Sequence, residues 1–341
     1  MSKINLKALS KQELEAFVLN SGMPAFRTKQ LLHWIYEKHA RSIQGITEFS
    51  KDLRDKLSQI AYISNLELLE RPVSKDGTEK FLFGLEDRES IESVLIPDED
   101  RLTLCISSQS GCAMGCRFCL TGRTGLKRNL KAHEIADQII SVDRLIAPRK
   151  ITNIVLMGMG EPLANFENVV EALWRMTGLM KISTKKITLS TSGIAPKIRE
   201  LAEKAPMVNL AISLNATTDA VRDYVMPVNK TYPIATLLEA CRAFPLATRR
   251  RIYFEYVLLQ GINDTPDDAQ RLIKLLKGIP SKVNLIPFNA FEGAEFERPD
   301  GSRVLAFQEI LVNAQMTAFI RKSKGQDILA ACGQLKAKYK G

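Results

Sequence analysis

From about residue 100 onward, short apolar runs alternate with amphipathic segments, and this alternation most constrains the fold. Six runs have the length and residue types of strands, at 102–107, 153–158, 186–191, 209–214, 251–259 and 283–288. Helical patterns follow them, near 132–146, 166–179, 195–204, 234–243, 266–277 and 305–321. Because strands joined by helices form parallel sheets, we expect an α/β fold of six β/α units, open or curled into a partial barrel.

The first hundred residues have a different pattern. A capping box of Ser10 and Glu13 begins one predicted helix, and Ser50 begins another. Between 64 and 98 the pattern changes to short strands. We therefore expect three parts, which are a small helical unit at 1–60, a short-strand connecting region at 61–100 and a β/α core at 101–341.

Composition indicates an ordinary globular protein, with 45% hydrophobic and 25% charged residues. No apolar run approaches the roughly 18 residues that a membrane span needs, and the N-terminus has no apolar stretch of signal-peptide type. We therefore expect no membrane partner and a cytoplasmic location. Thiols stay reduced there, so the six cysteines are expected to be ligands or catalysts more often than disulfides.

The net charge of +10 favours a polyanionic partner such as nucleic acid. Basic residues occur in clusters, for example at 249–251 and 321–324. A charge run is usually a solvated face, however, so charge alone leaves the choice open between a nucleic-acid-binding protein and one that is merely basic.

The segment "GCAMGCRFC" at 111–119 places Cys112, Cys116 and Cys119 in one loop after the first core strand. Structural zinc sites and four-cysteine iron–sulfur sites use four protein ligands. His133, at the start of a helix, and Cys105, inside a strand, are the available fourth ligands. The alternative is a three-thiolate site that leaves one iron of a cubane cluster open, much as catalytic zinc sites keep a free position. The residues alone leave both readings open.

Other unusual residues follow the ends of the predicted strands. These are "GMGEPL" (158–163), "TSG" (191–193), Asn215 and Asn289. In a barrel of this kind, loops from several strands converge at the carboxyl ends of the strands, where the chemistry takes place. Glycines there let the backbone approach a ligand closely, and Glu161 offers a hydrogen-bond acceptor. Each segment is a weak signal alone, but together they predict a site on one rim.

The Cys-x3-Cys-x2-Cys spacing, with Phe118 before the last cysteine and "GMGEP" after the next strand, resembles the radical S-adenosylmethionine superfamily. Longer segments resemble its RlmN/Cfr family of RNA adenine methyltransferases over nearly the whole chain: "ESVLIPDEDRLTLCISSQSGCAMGC", "CRFCLTGRTGLKRNL", "GMGEPLANFENV", "MPVNKTYP", "FEYVLLQGINDT" and "AACGQL". The resemblance implies a partial (β/α)6 barrel with an RNA-contacting helical accessory domain. It also implies a [4Fe-4S] cluster on Cys112, Cys116 and Cys119, with S-adenosylmethionine on the open iron.

The resemblance assigns catalytic roles to three further residues. Cys332 takes a methyl group from one S-adenosylmethionine, and a second molecule on the cluster gives the radical that activates this methyl for addition to adenine. Cys105 then attacks the sulfur of Cys332, and a disulfide forms as the product leaves. Glu92 matches a glutamate proposed as general base. By composition alone, Cys332 is a buried or free thiol, Cys105 is core and Glu92 is solvated. Cys241 matches no family motif and is predicted to be core.

The family pattern also maps cofactor contacts onto Gly160, Glu161, Ser192, Ser213, Leu214, Asn215 and Asn289. The chain departs from the family at Asn215, because the family usually has histidine after "SL". Asparagine can donate and accept hydrogen bonds, but it cannot titrate near neutrality.

The reaction implied is methylation of adenine C2 at adenine 2503 of 23S rRNA and adenine 37 of tRNA. A flavodoxin or ferredoxin is the expected reductant and a monomer the expected state. One alternative is Cfr-type methylation of C8 of the same rRNA adenine, which confers antibiotic resistance. Pro162 favours the C2 branch, because Cfr-type sequences tend to carry alanine there. The non-enzymatic alternative is a zinc-binding RNA module, which iron and sulfide in the protein would exclude.

Overall fold

The first part of the chain is a helical unit with its own apolar core. Its elements are β1 (Ile4–Asn5), α1 (Lys11–Asn20), α2 (Arg27–Tyr36), α3 (Lys51–Ile60) and β2 (Ala61–Tyr62). Ser10 and Glu13 form the predicted capping box, and Ser50 caps α3. The computed structural model describes residues 3–337, so the ends of the first and last predicted parts, 1–2 and 338–341, lie outside the described residues.

Two buried cations join this unit to the rest of the chain. Lys7 Nζ donates to Asp137 Oδ1 at 2.5 Å, and the two side chains are only 1% and 2% exposed. Arg175 donates to the carbonyl oxygens of Lys7 and Leu9 and to the Tyr36 hydroxyl. Burial lowers the pKa of Lys7, although the charge of Asp137 opposes this effect. Because an unpaired charge is costly to bury, these contacts fix the position of the helical unit.

The connecting region belongs to the same sheet as the core. Its strands are β3 (Glu67–Glu70), β4 (Glu79–Gly84) and β5 (Ser90–Asp98), which are antiparallel to one another. The remaining strands are β6 (Arg101–Cys105), β7 (Gln109–Gly111), β8 (Leu126–Asn129), β9 (Asn153–Leu156), β10 (Ile187–Thr191), β11 (Asn209–Ser213), β12 (Ile252–Leu258), β13 (Ser281–Pro287) and β14 (Ala318–Ile320). The strand β5 pairs with β6 in antiparallel register, so the connecting region extends the core sheet at one edge.

Six parallel strands, β6 and β9 to β13, are neighbours in chain order, which confirms the predicted partial (β/α)6 barrel. The helices of this part are α4 (Leu120–Arg123), α5 (Ala132–Ile146), α6 (Phe166–Trp174), α7 (Ala195–Lys204), α8 (Asp219–Val225), α9 (Ile234–Ala243), α10 (Pro266–Leu276) and α11 (Gly301–Asn313). Apolar side chains from both the strands and these helices form the main core. No helix within residues 3–337 combines the length and apolar character that a membrane span requires.

The prediction of one helix over 305–321 is wrong at its C-terminal end. The helix α11 ends at Asn313, and Gln315 has a left-handed φ of 60°, which turns the chain back toward the sheet. Residues 318–320 then form β14, a seventh parallel strand beside β13. No local pattern predicted the helix α8 or the small sheet formed by β7 and β8.

The substitution Lys7→Met tests how the helical unit is held. It leaves the Asp137 carboxylate buried without its cation, so we expect the free energy of unfolding to fall by about 3–5 kcal/mol. Urea denaturation measures this change. Lys11→Met is the matched control, because Lys11 and Glu15 are 66% and 51% exposed and a pair of that kind contributes at most about 1 kcal/mol. Equal effects of the two substitutions would show that the buried pair does not hold the unit.

Candidate active site

The segments that follow the parallel strands converge at their carboxyl ends. The loop at 112–119 follows β6 and β7, Gly160 and Glu161 follow β9, and Ser192 follows β10. The Glu161 carboxylate accepts a hydrogen bond from Ser192 N at 2.6 Å, which joins two of these segments directly. The structure therefore brings together residues that the sequence placed on one rim.

The cysteine loop depends on close backbone contacts. Gly111 has a φ of 78°, and a Cβ atom there would lie 1.9 Å from the carbonyl oxygen of Gly125. Only glycine therefore lets β7 and β8 approach, and Cys112 N donates to the same Gly125 oxygen at 3.0 Å. Below the loop, Cys116 and Phe118 pack on a small apolar cluster that contains Phe288, Phe291, Phe296, Val225 and Met226. This cluster keeps water away from one side of the loop.

The three thiols of the loop lie in surroundings that favour a cationic ligand. Burial raises the pKa of Cys112 to about 12 and raises the pKa values of Cys116 and Cys119. The thiols are also close enough for the charge of Cys119 to raise the pKa values of the other two. A bound metal group stabilises such thiolates.

The described residues contain no group of three or more His, Cys, Asp or Glu side chains that could hold one metal ion. The thiolates of an iron–sulfur cubane bind different iron atoms, so three spaced thiols on one loop suit a cluster. The donor set of Cys112, Cys116 and Cys119 therefore fits a [4Fe-4S] cluster with one iron left for another ligand.

Gly160, Glu161 and Ser192 form the part of the rim next to the cysteine loop. Gly160 has a φ of 103°, and a Cβ atom there would come within 2.6 Å of the Gln109 side chain. The buried Glu161 carboxylate accepts from the backbone N–H groups of Leu163 and Ser192, and burial raises its pKa. The Ser192 Oγ is buried and has no hydrogen-bond partner among the described residues. A buried hydroxyl without a partner is a group that a bound ligand can satisfy, so Ser192 fits a cofactor contact.

Arg222 on α8 holds the backbone of this rim in place. Its side chain is fully buried and donates to the carbonyl oxygens of Ser192, Ser213 and Leu214 at 2.7, 3.1 and 3.0 Å, and to Asn229 Oδ1. Burial lowers the pKa of Arg222 to about 10, so the guanidinium stays charged at neutral pH. It therefore joins the ends of β10 and β11, where three predicted cofactor contacts lie. Sequence analysis missed Arg222 because α8 is too short to show a helical pattern.

The side chain of Asn215 is directed at protein partners. Its Oδ1 accepts from Val257 N at 2.8 Å, and its Nδ2 lies 3.2 Å from Met226 Sδ. The residue is 1% exposed and has a left-handed φ of 57°, which asparagine tolerates better than most residues. In this structure Asn215 therefore ties β11 to β12, and its polar atoms do not face the open part of the rim.

Cys105 shares an apolar cluster with Ala330 and Leu335, so it lies beside the segment that carries Cys332, although 227 positions separate the two cysteines in the chain. Cys105 is buried at the end of β6, and its pKa is raised first by burial and then by the charge of Cys332. Cys332 is exposed to solvent, and the surrounding protein and then the charge of Glu255 raise its pKa. All six cysteines are free thiols, so the pair expected to form a disulfide is reduced in this structure. Cys241 is buried in α9, as predicted.

Asn289 connects the end of β13 to the segment that carries Cys332. Its Nδ2 donates to the Cys332 carbonyl oxygen at 3.2 Å, and its Oδ1 accepts from Ser323 and Gln326. Sequence analysis missed Glu255, a buried carboxylate on β12 that accepts from Asn284 Nδ2 at 2.8 Å. A charged residue within an apolar strand was the signal that could have found it.

Glu92 lies within β5 and is 5% exposed, so the alternative of a solvated glutamate is wrong. Its Oε1 is 3.0 Å from Lys80 Nζ, and its Oε2 accepts from the backbone N–H of Lys336 at 2.7 Å. The carboxylate therefore contacts the same C-terminal segment that carries Cys332.

The barrel and its three-cysteine loop define a radical S-adenosylmethionine protein, and comparisons with known proteins agree. Residues 106–276 match the radical SAM superfamily, and residues 4–63 match the ribosomal RNA large subunit methyltransferase N-terminal domain. A solved structure of a radical SAM methyltransferase from Sphaerobacter thermophilus is similar, with a TM-score of 0.94 and 41% identity, over 98% of this chain and all of that one. These matches confirm the predicted fold and the predicted cofactors, a [4Fe-4S] cluster and S-adenosylmethionine.

Comparison with curated relatives shows which family of the radical SAM superfamily contains this chain. The chain is 54% identical to the dual-specificity RNA methyltransferase RlmN of Pelobacter propionicus, over 98% of this chain and 96% of the relative. It is 51% identical to the protein of the same name from Geotalea uraniireducens, over 99% of this chain and 98% of the relative. The chain therefore belongs to the RlmN family, which confirms the resemblance seen in its motifs.

The positions of the thiols outside the cysteine loop predict their reactivity. In anaerobic holoprotein whose Cys332 carries no methyl group, iodoacetamide should modify Cys332 on the order of ten times faster than Cys105 or Cys241, because Cys332 is exposed and the other two are buried. The thiolate is the reactive form and the pKa of Cys332 is raised, so the rate should climb as the pH rises from about 7 to about 9. Peptide mass analysis at timed intervals measures each site. Equal labelling of Cys105 and Cys332 would contradict the burial described here.

Proposed function

We propose that this chain methylates C2 of adenine in 23S rRNA and in tRNA, with a methyl group carried on Cys332. The packing of Cys105 in one apolar cluster with Ala330 and Leu335, on either side of Cys332 in the chain, carries this proposal. The name of the relatives, dual-specificity RNA methyltransferase, supports RNA as the substrate class. We also propose a cytoplasmic monomer that takes electrons from a flavodoxin or ferredoxin.

The residues of the rim divide into two sets. Cys112, Cys116 and Cys119 hold the cluster, and S-adenosylmethionine contacts Gly160, Glu161, Ser192, Ser213, Leu214 and Asn289. When bound, these cofactors supply a carbon-centred radical for a reaction that ionic chemistry cannot achieve. The unpartnered Ser192 hydroxyl and the carbonyl groups held by Arg222 support the placement of the second set. Asn215 contributes indirectly, because its hydrogen bond from Val257 N fixes β12 beside β11.

Adenine C2 has no acidic proton and is electron-poor, so a simple nucleophilic methyl transfer does not work there. A methyl group on the Cys332 sulfur avoids this problem, because its carbon can be activated and then joined to the ring while the sulfur stays attached. Cys332 is suited to this role because it is exposed at the rim and its backbone is held by Asn289. Glu92, which contacts the same C-terminal segment, removes the ring proton once its contact with Lys336 is released.

Release of the product depends on Cys105. Its thiolate attacks the Cys332 sulfur, so a sulfur–sulfur bond forms while the bond from that sulfur to the transferred carbon breaks. The electron pair stays with carbon, which takes up a proton from solvent to become the methyl group of the product. Burial of Cys105 raises its pKa and hides it from external oxidants, so the thiol is preserved for the adjacent sulfur. A reductant must then reduce the disulfide before the next cycle.

Nucleoside analysis tests the reaction. Protein reconstituted anaerobically with iron, sulfide and S-adenosylmethionine should produce 2-methyladenosine in both 23S rRNA and tRNA. Cys332→Ala should reduce the product to background, because the methyl carrier is lost. Cys241→Ala is the control and should keep near-normal activity, because Cys241 is buried in α9. Formation of 8-methyladenosine instead would establish the C8 alternative, and zinc without iron or sulfide would establish the non-enzymatic one.

Cys105→Ala should trap RNA on the protein. With the attacking thiol removed, the reaction stops after the carbon bridge between Cys332 and adenine has formed. A slow-migrating band that ribonuclease removes should accumulate on denaturing gels. The double change Cys105→Ala with Cys332→Ala should abolish the band. Normal turnover by the Cys105→Ala protein, without attached RNA, would rule out the two-cysteine mechanism.

A further inference from the structure

The segment at 325–337, here called the C-terminal strap, carries Cys332 across the rim with little regular structure. One 3-10 turn, Gln326–Ile328, is its only helical or strand element among the described residues. Near Cys332 the strap bonds to the cysteine loop, where Leu120 N donates to the Gly333 carbonyl at 2.7 Å. Such a segment has high conformational freedom, so its contacts decide where the Cys332 thiol lies.

The first half of the strap lies against the turn between β3 and β4, at residues 74–78. Asp327 accepts from Ser74 Oγ at 2.6 Å and from Lys75 N at 3.2 Å. In the opposite direction, Asp76 in the turn accepts a hydrogen bond from Gly325 N of the strap at 2.9 Å. Two carboxylates, one on each partner, therefore join segments that are about 250 residues apart in the chain.

Gly325 shows how close the two segments are. It has a φ of 66°, and a Cβ atom there would lie 2.9 Å from both Thr78 Cγ2 and Ala330 Cβ. Thr78 is fully buried, so it cannot move aside easily. Farther along, Lys80 Nζ lies 3.4 Å from the carbonyl oxygen of Leu329 and 3.0 Å from Glu92.

We propose that the turn at 74–78 is a positioning clamp for Cys332, in which Ser74, Asp76 and Asp327 hold the strap so that its thiol stays within reach of Cys105. The catalytic meaning of the clamp rests on the proposed function, in which Cys332 must react with groups fixed on the barrel. Holding two reacting groups in place raises their effective concentration, and a freely moving strap would lose that gain.

The carboxylates of Asp76 and Asp327 stay ionised at neutral pH. Burial alone would raise the pKa of Asp76, but hydrogen bonds from Thr78 and from Gly325 N outweigh it and hold the pKa at about 2. The hydrogen bond from Ser74, followed by that from Lys75 N, lowers the pKa of Asp327. Both groups favour the docked strap over the whole range above their unfolded pKa values, so the clamp does not weaken between pH 6 and about pH 8.

The clamp is tested by comparing the substitution Gly325→Ala with Gly278→Ala, which is the matched control. Both glycines have positive φ, 66° and 81°, so both substitutions introduce similar backbone strain, but a Cβ at Gly278 meets nothing within 4 Å. Amide hydrogen exchange of residues 325–337 reports docking of the strap. The rate at which oxidised glutathione couples Cys105 to Cys332 reports their effective concentration, as two thiols become one disulfide and two molecules of reduced glutathione leave.

In anaerobic holoprotein whose Cys332 carries no methyl group, Gly325→Ala should speed exchange in the strap and slow the coupling on the order of tenfold, and Gly278→Ala should change neither. Iron, sulfide and the affinity for S-adenosylmethionine should stay at wild-type values in both proteins. Asp327→Asn and Ser74→Ala, which make no new steric contact, should shift both readouts in the same direction, and Asp327→Glu should restore part of the coupling rate.

Coupling at the wild-type rate in Gly325→Ala and Asp327→Asn would overturn the clamp, because the strap would then be positioned by its other contacts. Slow coupling together with loss of iron would also overturn it, since the substitutions would then have damaged the barrel as a whole. These readouts need no RNA and no turnover. Failure to methylate RNA, with coupling and exchange as expected, would therefore count against the proposed function alone.

Discussion

The buried charge of Arg222 is the interaction on which the rim depends. Parallel strands end with carbonyl groups that lack partners, and the barrel must satisfy them without closing the space where a ligand binds. One guanidinium has five donors in a fixed plane, and here it satisfies three backbone carbonyls at the ends of β10 and β11. The Ser192 hydroxyl beside them has no hydrogen-bond partner among the described residues, so it can bind a ligand.

The molecule combines a rigid frame with parts held by few contacts. The frame is the ten-stranded sheet, and the helical unit is attached to it by the buried Lys7–Asp137 pair and by Arg175. The cysteine loop rests on an apolar cluster, which fixes its position without using its thiols. The C-terminal strap is held by hydrogen bonds to neighbouring loops and by Ala330 and Leu335, which pack in one apolar cluster with Cys105. These contacts are fewer than those within the sheet, so we expect the strap to open more readily than the frame.

Sequence patterns predicted the regular part of the fold because its causes are local. Apolar runs and helical periodicity located the six core strands, and the Ser10 capping box located the start of α1. The pattern failed at 318–320, where a short apolar run fits a buried helix as well as a strand. The cysteine loop was visible in sequence because its three ligands are contiguous. Arg222 and the Asp327 contact were not, because each depends on a tertiary contact that no local pattern encodes.

Cys105 and Cys332 show why composition could not reveal their role. Cys105 has the surroundings of a core residue, and Cys332 lies in a segment with almost no regular structure. Neither environment activates a thiol, since the pKa values of both are raised. Their significance lies in their proximity, because a poorly ionised thiol can still attack quickly when its target sulfur is held beside it. The chemistry of this pair therefore depends less on thiol acidity than on how firmly the strap is positioned, a property that only the folded chain displays.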